Sequence, residues 1–530
     1  MKPASSNPVS FQQTATEEQN QPIAEGTVSG ISRSLKQNIY RWHRIIGIIT
    51  IIPVICWTVS GCMHPFMAHW FKPAIPHEFV VPTPLTKEKI TLSLQDVLTK
   101  HGIRSFRNFR IVMIGDVPYY QIKNELYDME YYSAVDGNRL ADGDAHYAER
   151  LARYFLEDSI SSVASIEKIT EFTSEYRYVN RLLPVWKVSF NRSDNMDVYI
   201  DTEQTRLGTF NNNQRKAFLW IFGTFHNWEW LGYISNEWLR ITIMIMLLTV
   251  IIASALSGIL IYGFFWKRFK SATPNDSTGY IRRNHRKIGI AVSLVTLTFA
   301  VSGAYHVSMK YSPDDRQEYV HQPVLLSRNV TLSNLALPLA WDRVANMSLV
   351  KIGKDIFYQV FYTHTEETPS EIVYASTATG ELLADGNIVY TKQLAKRFFL
   401  ASLTRNPPAC CEAMESYQEI TAPPMPAFQQ ATFQTAFDRE YGFVNKRLPV
   451  VKLAYNTPQH LTYYIEPATG RLAARMEDAD RNEGYTFAVF HKYLFMDWAG
   501  KNIRDGVMLI SALGVLTASV LGLILFLRRR

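Results

Sequence analysis

The side chains with the most chemical potential in this 530-residue chain are histidines. Of the 13 present, His43, His64, His226, His285, His306 and His491 stand at the ends of long apolar runs. An ionisable ring beside hydrocarbon is costly unless a partner or a function holds it. Two imidazoles facing each other from different helices supply the two axial ligands of a haem, with planar porphyrin filling the apolar gap between helices. Zinc or copper needs three or four ligands close together, and the extra Cys, Asp or Glu for such a site is missing from these helices. Two axial imidazoles leave no open position for oxygen, which suits electron transfer. His43 and His64 are 21 residues apart, roughly 31 Å along a helix, so they cannot share one haem. Their directions around the helix differ by only about 60°, so both can face one bundle interior. This geometry predicts two haems, one near each membrane face. His43 with His285 forms the inner pair. The outer pair is drawn from His64, His306, His226 and His491, and the sequence does not select which two.

Other chemistry finds little support. There is no phosphate loop, GxGxxG, flavin motif or Ser-His-Asp arrangement, so binding of a nicotinamide and hydrolysis of nucleotides are excluded. Without Cys-x-x-Cys-His the haems are expected to be haem b, held non-covalently. Four cysteines rule out a disulfide-built scaffold. Cys56 and Cys62 read as small apolar fillers of the first helix. The vicinal pair Cys410-Cys411 forms no Cys-x-x-Cys redox motif, and its role is not legible.

The histidines need elements to hold them. Four charge-free apolar runs, Ile45–Met63, Ile241–Trp266, Ile288–Met309 and Val507–Leu527, meet the roughly 18 to 25 residues that cross a bilayer. Mean hydropathy is −0.09, so these spans must alternate with polar domains. The expected division is a disordered tail over 1–36, a helix over 37–64, a large domain over 65–238 and a helix over 239–266. A basic loop over 267–284, a helix over 285–309, a second large domain over 310–504 and a last helix with the C-terminus over 505–530 complete it. The net charge of +7 resembles a nucleic-acid signal until it is mapped. Lys36, Arg41 and Arg44, the run from Lys267 to Lys287, and Arg528 to Arg530 all flank apolar spans. Basic residues of that kind mark the cytoplasmic side, which puts both termini inside and both large domains in the periplasm of a bacterial inner membrane. Arg41, Arg44, Arg282, Arg283 and Arg286 also suit pairing with haem propionates.

Self-comparison shows a tandem repeat. His43-x3-Gly47, Val59-Ser60-Gly61 and His64 return as His285-x3-Gly289, Val301-Ser302-Gly303 and His306, at an offset of 242. Leu140-Ala141-Asp142-Gly143 returns as Leu383-Ala384-Asp385-Gly386, at 243. Glu175-Tyr176, Leu183-Pro184-Val185-x-Lys187, Tyr199-Ile200-Asp201 and Phe225-His226 return as Glu440-Tyr441, Leu448-Pro449-Val450-x-Lys452, Tyr464-Ile465-Glu466 and Phe490-His491, at 265. Each half is therefore helix, outer domain, helix. Parallel repeats of this kind relate by an axis along the membrane normal. The outer domains alternate in strand period over Glu130–Asn138, Asp197–Thr205, Ile372–Gly380 and Thr462–Gly470, with helices over Tyr147–Leu156 and Thr391–Leu400. The fold class is a four-helix membrane bundle of two parallel repeats, each with an α+β domain between its helices.

These duplicated histidine and Ser-Gly segments, the Tyr-x-Asp/Glu hairpins and the Phe-His pairs resemble the PepSY-associated transmembrane family. Thr379-Gly380 and Thr469-Gly470 match its hairpin turn, whereas Thr205-Arg206 lacks the Gly. The resemblance implies PepSY-like outer domains and an iron-regulated inner-membrane protein similar to haem-containing ferric-siderophore reductases. Its partners would then be a ferric siderophore or other iron chelate, membrane lipid, and an electron donor such as quinol or a cytoplasmic reductase. The alternative is a non-redox protein that regulates a periplasmic peptidase or senses the envelope, because PepSY domains also occur as inhibitory propeptides. That alternative gives the duplicated histidines no task.

Overall fold

A chain crossing hydrocarbon must satisfy its own N–H and C=O groups. The computed structural model of the protein does so with four helices long and apolar enough to span, Asn38–Trp70, Glu237–Phe264, Ser277–Ser308 and Lys501–Leu527. The structure describes residues 26–234, 236–270, 277–309, 319–363, 371–403 and 423–528. Cys410 and Cys411 lie outside the described residues. Helical backbone begins at Gly26, inside the stretch expected to be disordered. No proline occurs between Gly26 and Pro53 to stop it, and hydropathy marks the lipid boundary rather than the helix boundary. At its other end this helix passes through Pro65 into a wider π turn, Phe66–Trp70. Hydroxyls within it are satisfied locally: Thr50, Thr58 and Ser60 donate to the carbonyls of Ile46, Val54 and Cys56 at 3.0, 2.7 and 2.6 Å.

The first helix packs on the second and fourth, and the third packs on the same two. The first and third helices, which carry His43 and His285, therefore occupy one diagonal of the bundle.

Both large domains sit at the same end of the bundle and share one core. The first contains an antiparallel sheet of Asn108–Ile114, Val117–Lys123, Met129–Ser133 and Arg139–Leu140, in chain order. The helix Gly143–Leu156 links it to a second sheet of Val163–Ile169, Val185–Phe190, Asp197–Asp201 and Arg206–Asn211. The second domain repeats this plan with Val344–Ile352, Asp355–Tyr362 and Glu371–Ser376, the helix Gly386–Leu403, and Ala427–Gln434, Val450–Asn456, Thr462–Glu466 and Arg471–Met476. The domains join through reciprocal contacts: the Leu349 N–H donates to Asn108 Oδ1 at 2.8 Å, and the Ile111 N–H donates to Asn346 Oδ1 at 3.1 Å. Leu94, Val97, Phe109 and Tyr120 of one domain are buried in one cluster with Val344, Met347, Tyr358 and Val360 of the other.

The recurring motifs are mostly architectural. Asp142 and Asp385 adopt left-handed backbone (φ 50° and 52°), and a β-carbon on Gly143 or Gly386 would strike the ring of Tyr131 or Tyr374. Lys187 pairs with Glu175, and Lys452 with Glu440. Tyr176 stacks on Tyr199 with centroids 4.7 Å apart, and Tyr441 on Tyr464 at 4.5 Å. The turn that lacks glycine keeps its shape: Thr205 takes φ 56°, beside φ 62° at Gly470. Left-handed backbone costs a non-glycine residue roughly 1–2 kcal/mol. Tyr147 Oη, 3.0 Å from Thr205 Oγ1, and Arg110, which donates to the same oxygen, help hold it there.

Candidate functional site

At the end of the bundle remote from the large domains, termed inner only to tell it from the other, His43 Nδ1 lies 2.8 Å from Ser257 Oγ of the second helix, and His285 Nδ1 lies 2.9 Å from the Ala518 carbonyl of the fourth. Each ring sits over a glycine of that neighbouring helix. A β-carbon on Gly258 would lie 3.4 Å from His43 Cε1, and one on Gly522 would lie 3.3 Å from His285 Cε1. The two rings are within electrostatic reach of each other.

The hydrogen-bond partners fix the tautomer. A carbonyl only accepts, so His285 Nδ1 carries a proton. Ser257 spends its own hydroxyl proton on the Ser254 carbonyl at 2.8 Å, so its oxygen accepts from His43 Nδ1–H. The outer end repeats this logic. Ser60 donates to Cys56 and faces His226 Nδ1 at 3.2 Å. Ser302 donates to the Phe299 carbonyl and faces His491 Nδ1 at 3.2 Å. In all four neutral imidazoles Nε2 holds the lone pair. Anchoring of Nδ1–H by an oxygen is the arrangement that orients metal-ligating histidines.

The outer histidines divide into two kinds. His226 and His491 have ring centroids 6.3 Å apart at an interplanar angle of 83°. Two metal–nitrogen bonds of about 2 Å each, plus the half-widths of two rings, span roughly 6 Å. Phe222 stacks on His226 at 4.4 Å and Phe487 on His491 at 4.7 Å, while Trp57 Nε1 donates to the His226 carbonyl at 2.8 Å. His306 is tied instead to the Glu483 carboxylate. His64 packs near Phe222 at 5.8 Å and lines a cavity. Among the described residues no group of three or more His, Cys, Asp or Glu is placed to cage a metal ion.

Residues 40–343, more than half of the chain, match the family model described as the PepSY-associated TM region. The chain belongs to the PepSY-associated transmembrane family. No curated protein matches it.

In this family member the sequence reading missed the carboxylates. The fourth helix begins at Lys501, ahead of its apolar run, and brings buried Asp505 to 3.1 Å from His69 Nδ1. Glu483 reaches His306 from the helix Asp478–Phe490. Neither was visible because each approaches a histidine distant in the chain. The serine anchors carried a signal: Ser60 and Ser302 belong to the duplicated Val-Ser-Gly motif, although the motif alone does not say that Nδ1 of His226 and His491 meets them. Next to His64 the PepSY-associated protein has a cavity of about 1970 Å³, bounded by both outer domains and the first and fourth membrane helices. Sequence reading had no means of finding it.

Proposed function

We propose that this protein carries electrons across a membrane through two haems b and delivers them to a ferric chelate, releasing its iron. The observation that carries the reading is the set of four imidazoles, each anchored through Nδ1 with Nε2 left for ligation. On this reading His43 and His285 hold the inner group, and His226 and His491 hold the outer one. When bound, each haem supplies a one-electron carrier. The protein holds the rings in one tautomer, and glycines let His43, His285 and His226 lie close against a neighbouring helix. Ser60 is 17 residues along the same helix from His43, as Ser302 is from His285, so the two levels are separated by roughly 25 Å. Transfer of one electron to Fe(III) gives Fe(II), which hard oxygen donors bind more weakly.

The matching sheet orders and the diagonal first and third helices support a chain built of two parallel repeats. The basic residues at the end of the bundle opposite the large domains support cytoplasmic termini, periplasmic domains and an inner-membrane location. A quinol or a cytoplasmic reductase would then supply electrons at the inner pair.

An absorption spectrum of protein purified from haem-replete cells, oxidised and then dithionite-reduced, tests the reading. We expect a Soret band and the sharp α and β bands of low-spin bis-histidine haem b. A colourless preparation would overturn it in favour of the regulatory alternative.

A further inference from the structure

We propose that the cavity beside His64 is a binding site for a large, polyanionic metal chelate of the catecholate type. The inference rests on the electron-transfer reading for the ligand being a metal chelate; its charge and shape come from the cavity itself. The carboxylates in the wall, Glu78, Glu149 and Asp505, are each already paired, with Lys72, with Arg153, and with His69 and Arg504. Arg206 is likewise spent on Glu466. Arg150, Arg215, Lys446, Lys492 and Lys501 also line the cavity, and among the described residues no carboxylate lies within ion-pair distance of them. The wall therefore carries surplus positive charge in a recess, where low-dielectric surroundings focus it.

The surplus cations crowd one another. Burial and the nearby charges of Arg215 and Lys72 hold the Lys446 ammonium below its ordinary pKa. Arg215 Nε is buried without a hydrogen-bond partner. An anion relieves both conditions. Size and lining narrow its class. Pockets for drug-sized ligands measure about 300–1,000 Å³, so about 1970 Å³ suits a bulky hexadentate chelate rather than a bare ion. Phe79, Met113, Tyr119, Phe361, Phe437 and Phe443 contribute apolar and aromatic wall, a surface for aromatic donor rings. Catecholates combine aromatic rings with retained negative charge once the metal is bound.

The test uses full-length protein in detergent and isothermal titration calorimetry. One probe is the gallium(III) complex of a hexadentate tris-catecholate, which is triply anionic. The other is the gallium(III) complex of a linear trihydroxamate, which has no net negative charge. Gallium(III) resembles ferric iron in charge and size but is not reduced, so binding is read apart from electron transfer. We expect the catecholate complex to bind at least about tenfold tighter, with affinity falling as salt rises. Arg150→Glu and Lys446→Glu should each weaken it by about tenfold and leave trihydroxamate binding unchanged. Exposed Arg150 gives a variant whose folding is not at risk. Equal affinity for the two probes, or insensitivity to both substitutions, would overturn the proposal. Haem-loaded protein that binds neither probe would overturn it and leave the electron path standing. Haem-free protein that still binds the catecholate would sustain it and remove the electron path.

Discussion

The two ends of the bundle solve different problems with the same side chain. At the inner end His43 and His285 stand on diagonal helices, each locked by an oxygen and seated over a glycine of its neighbour. The outer end gathers five histidines, two carboxylates and a cavity open to both large domains. There His226 and His491 repeat the inner pattern of serine or carbonyl anchoring, while His64 and His306 do not. The contrast teaches that a histidine at a membrane boundary is sorted by what stands opposite it. An oxygen on Nδ1, whether of a serine, a carbonyl or a carboxylate, orients the ring. A second imidazole at the spacing of His226 and His491 is what the proposed reading turns on, and His64 and His306 are held against other groups.

The largest test removes the rings themselves. On the proposed reading, His43→Ala or His285→Ala should remove about half the haem and abolish reduction from the inner side. His226→Ala or His491→Ala should also remove about half and abolish chelate reduction, whereas His64→Ala and His306→Ala should retain full haem content. Haem quantified against protein checks this. Full content in the first four variants would break the distinction between the ends.

A second test, also all-or-none, asks which end faces which compartment. A reporter active only outside the cytoplasm should work when inserted near Gly143 or Gly386 and fail in the basic loop at Asn275. The reverse pattern would exchange inner for outer.

The join above the outer end provides the third. Burial alone would raise the Glu466 carboxyl, but Arg206 and Arg447 outweigh it and hold its pKa at about 2; their nitrogens lie 2.6 and 2.9 Å from its oxygens. A carboxylate depressed on folding stabilises the protein above its unfolded pKa, and that contribution is lost as pH falls through the folded value. Outer-domain stability should therefore hold from neutral pH to about 4.5 and decline toward about 2. Glu466→Gln leaves buried Arg447 and half-buried Arg206 without their countercharge, and should cost about 3–5 kcal/mol at neutral pH. Thermal unfolding followed across pH measures both, and the inner haem spectrum should survive the substitution.

The smallest effect separates the two inner rings. Ser257→Ala deprives His43 of its acceptor and should lower haem affinity at that site by about 10–100-fold. His285 is anchored by a main-chain carbonyl, so Ala518→Ser should leave affinity unchanged. Equal sensitivity at both positions would show that Nδ1 anchoring does not govern ligation.

Much of this was legible before any coordinates. Hydropathy located four spans, because crossing lipid demands long charge-free runs whatever the tertiary context. Short aromatic and β-branched runs closed by turn residues located the hairpins around Asp201 and Glu466; that both strands are buried on both faces is set by the helices and sheets packed on them. Neither signal reported that Gly26–Lys36 is helical, since a polar stretch carries no burial pattern, nor that Thr205 would accept a left-handed backbone, since the Tyr147 and Arg110 contacts that support it come from distant segments.

The sequence by itself determined which histidines exist in duplicate, how far apart along a helix His43 and His64 must lie, and that the basic residues flank the spans. Those are properties of local spacing and of transfer between water and lipid. Only the tertiary structure decided that His226 meets His491, that Ser257, Ser60, Ser302 and Ala518 hold four imidazoles in one tautomer, and that Asp505 and Glu483 reach His69 and His306. It also decided that Arg150, Arg215 and Lys446 share a cavity wall with His64. Each of these depends on which helix faces lie against each other and how two domains close over the bundle, and packing of that kind joins residues whose separation in the chain carries no trace of it.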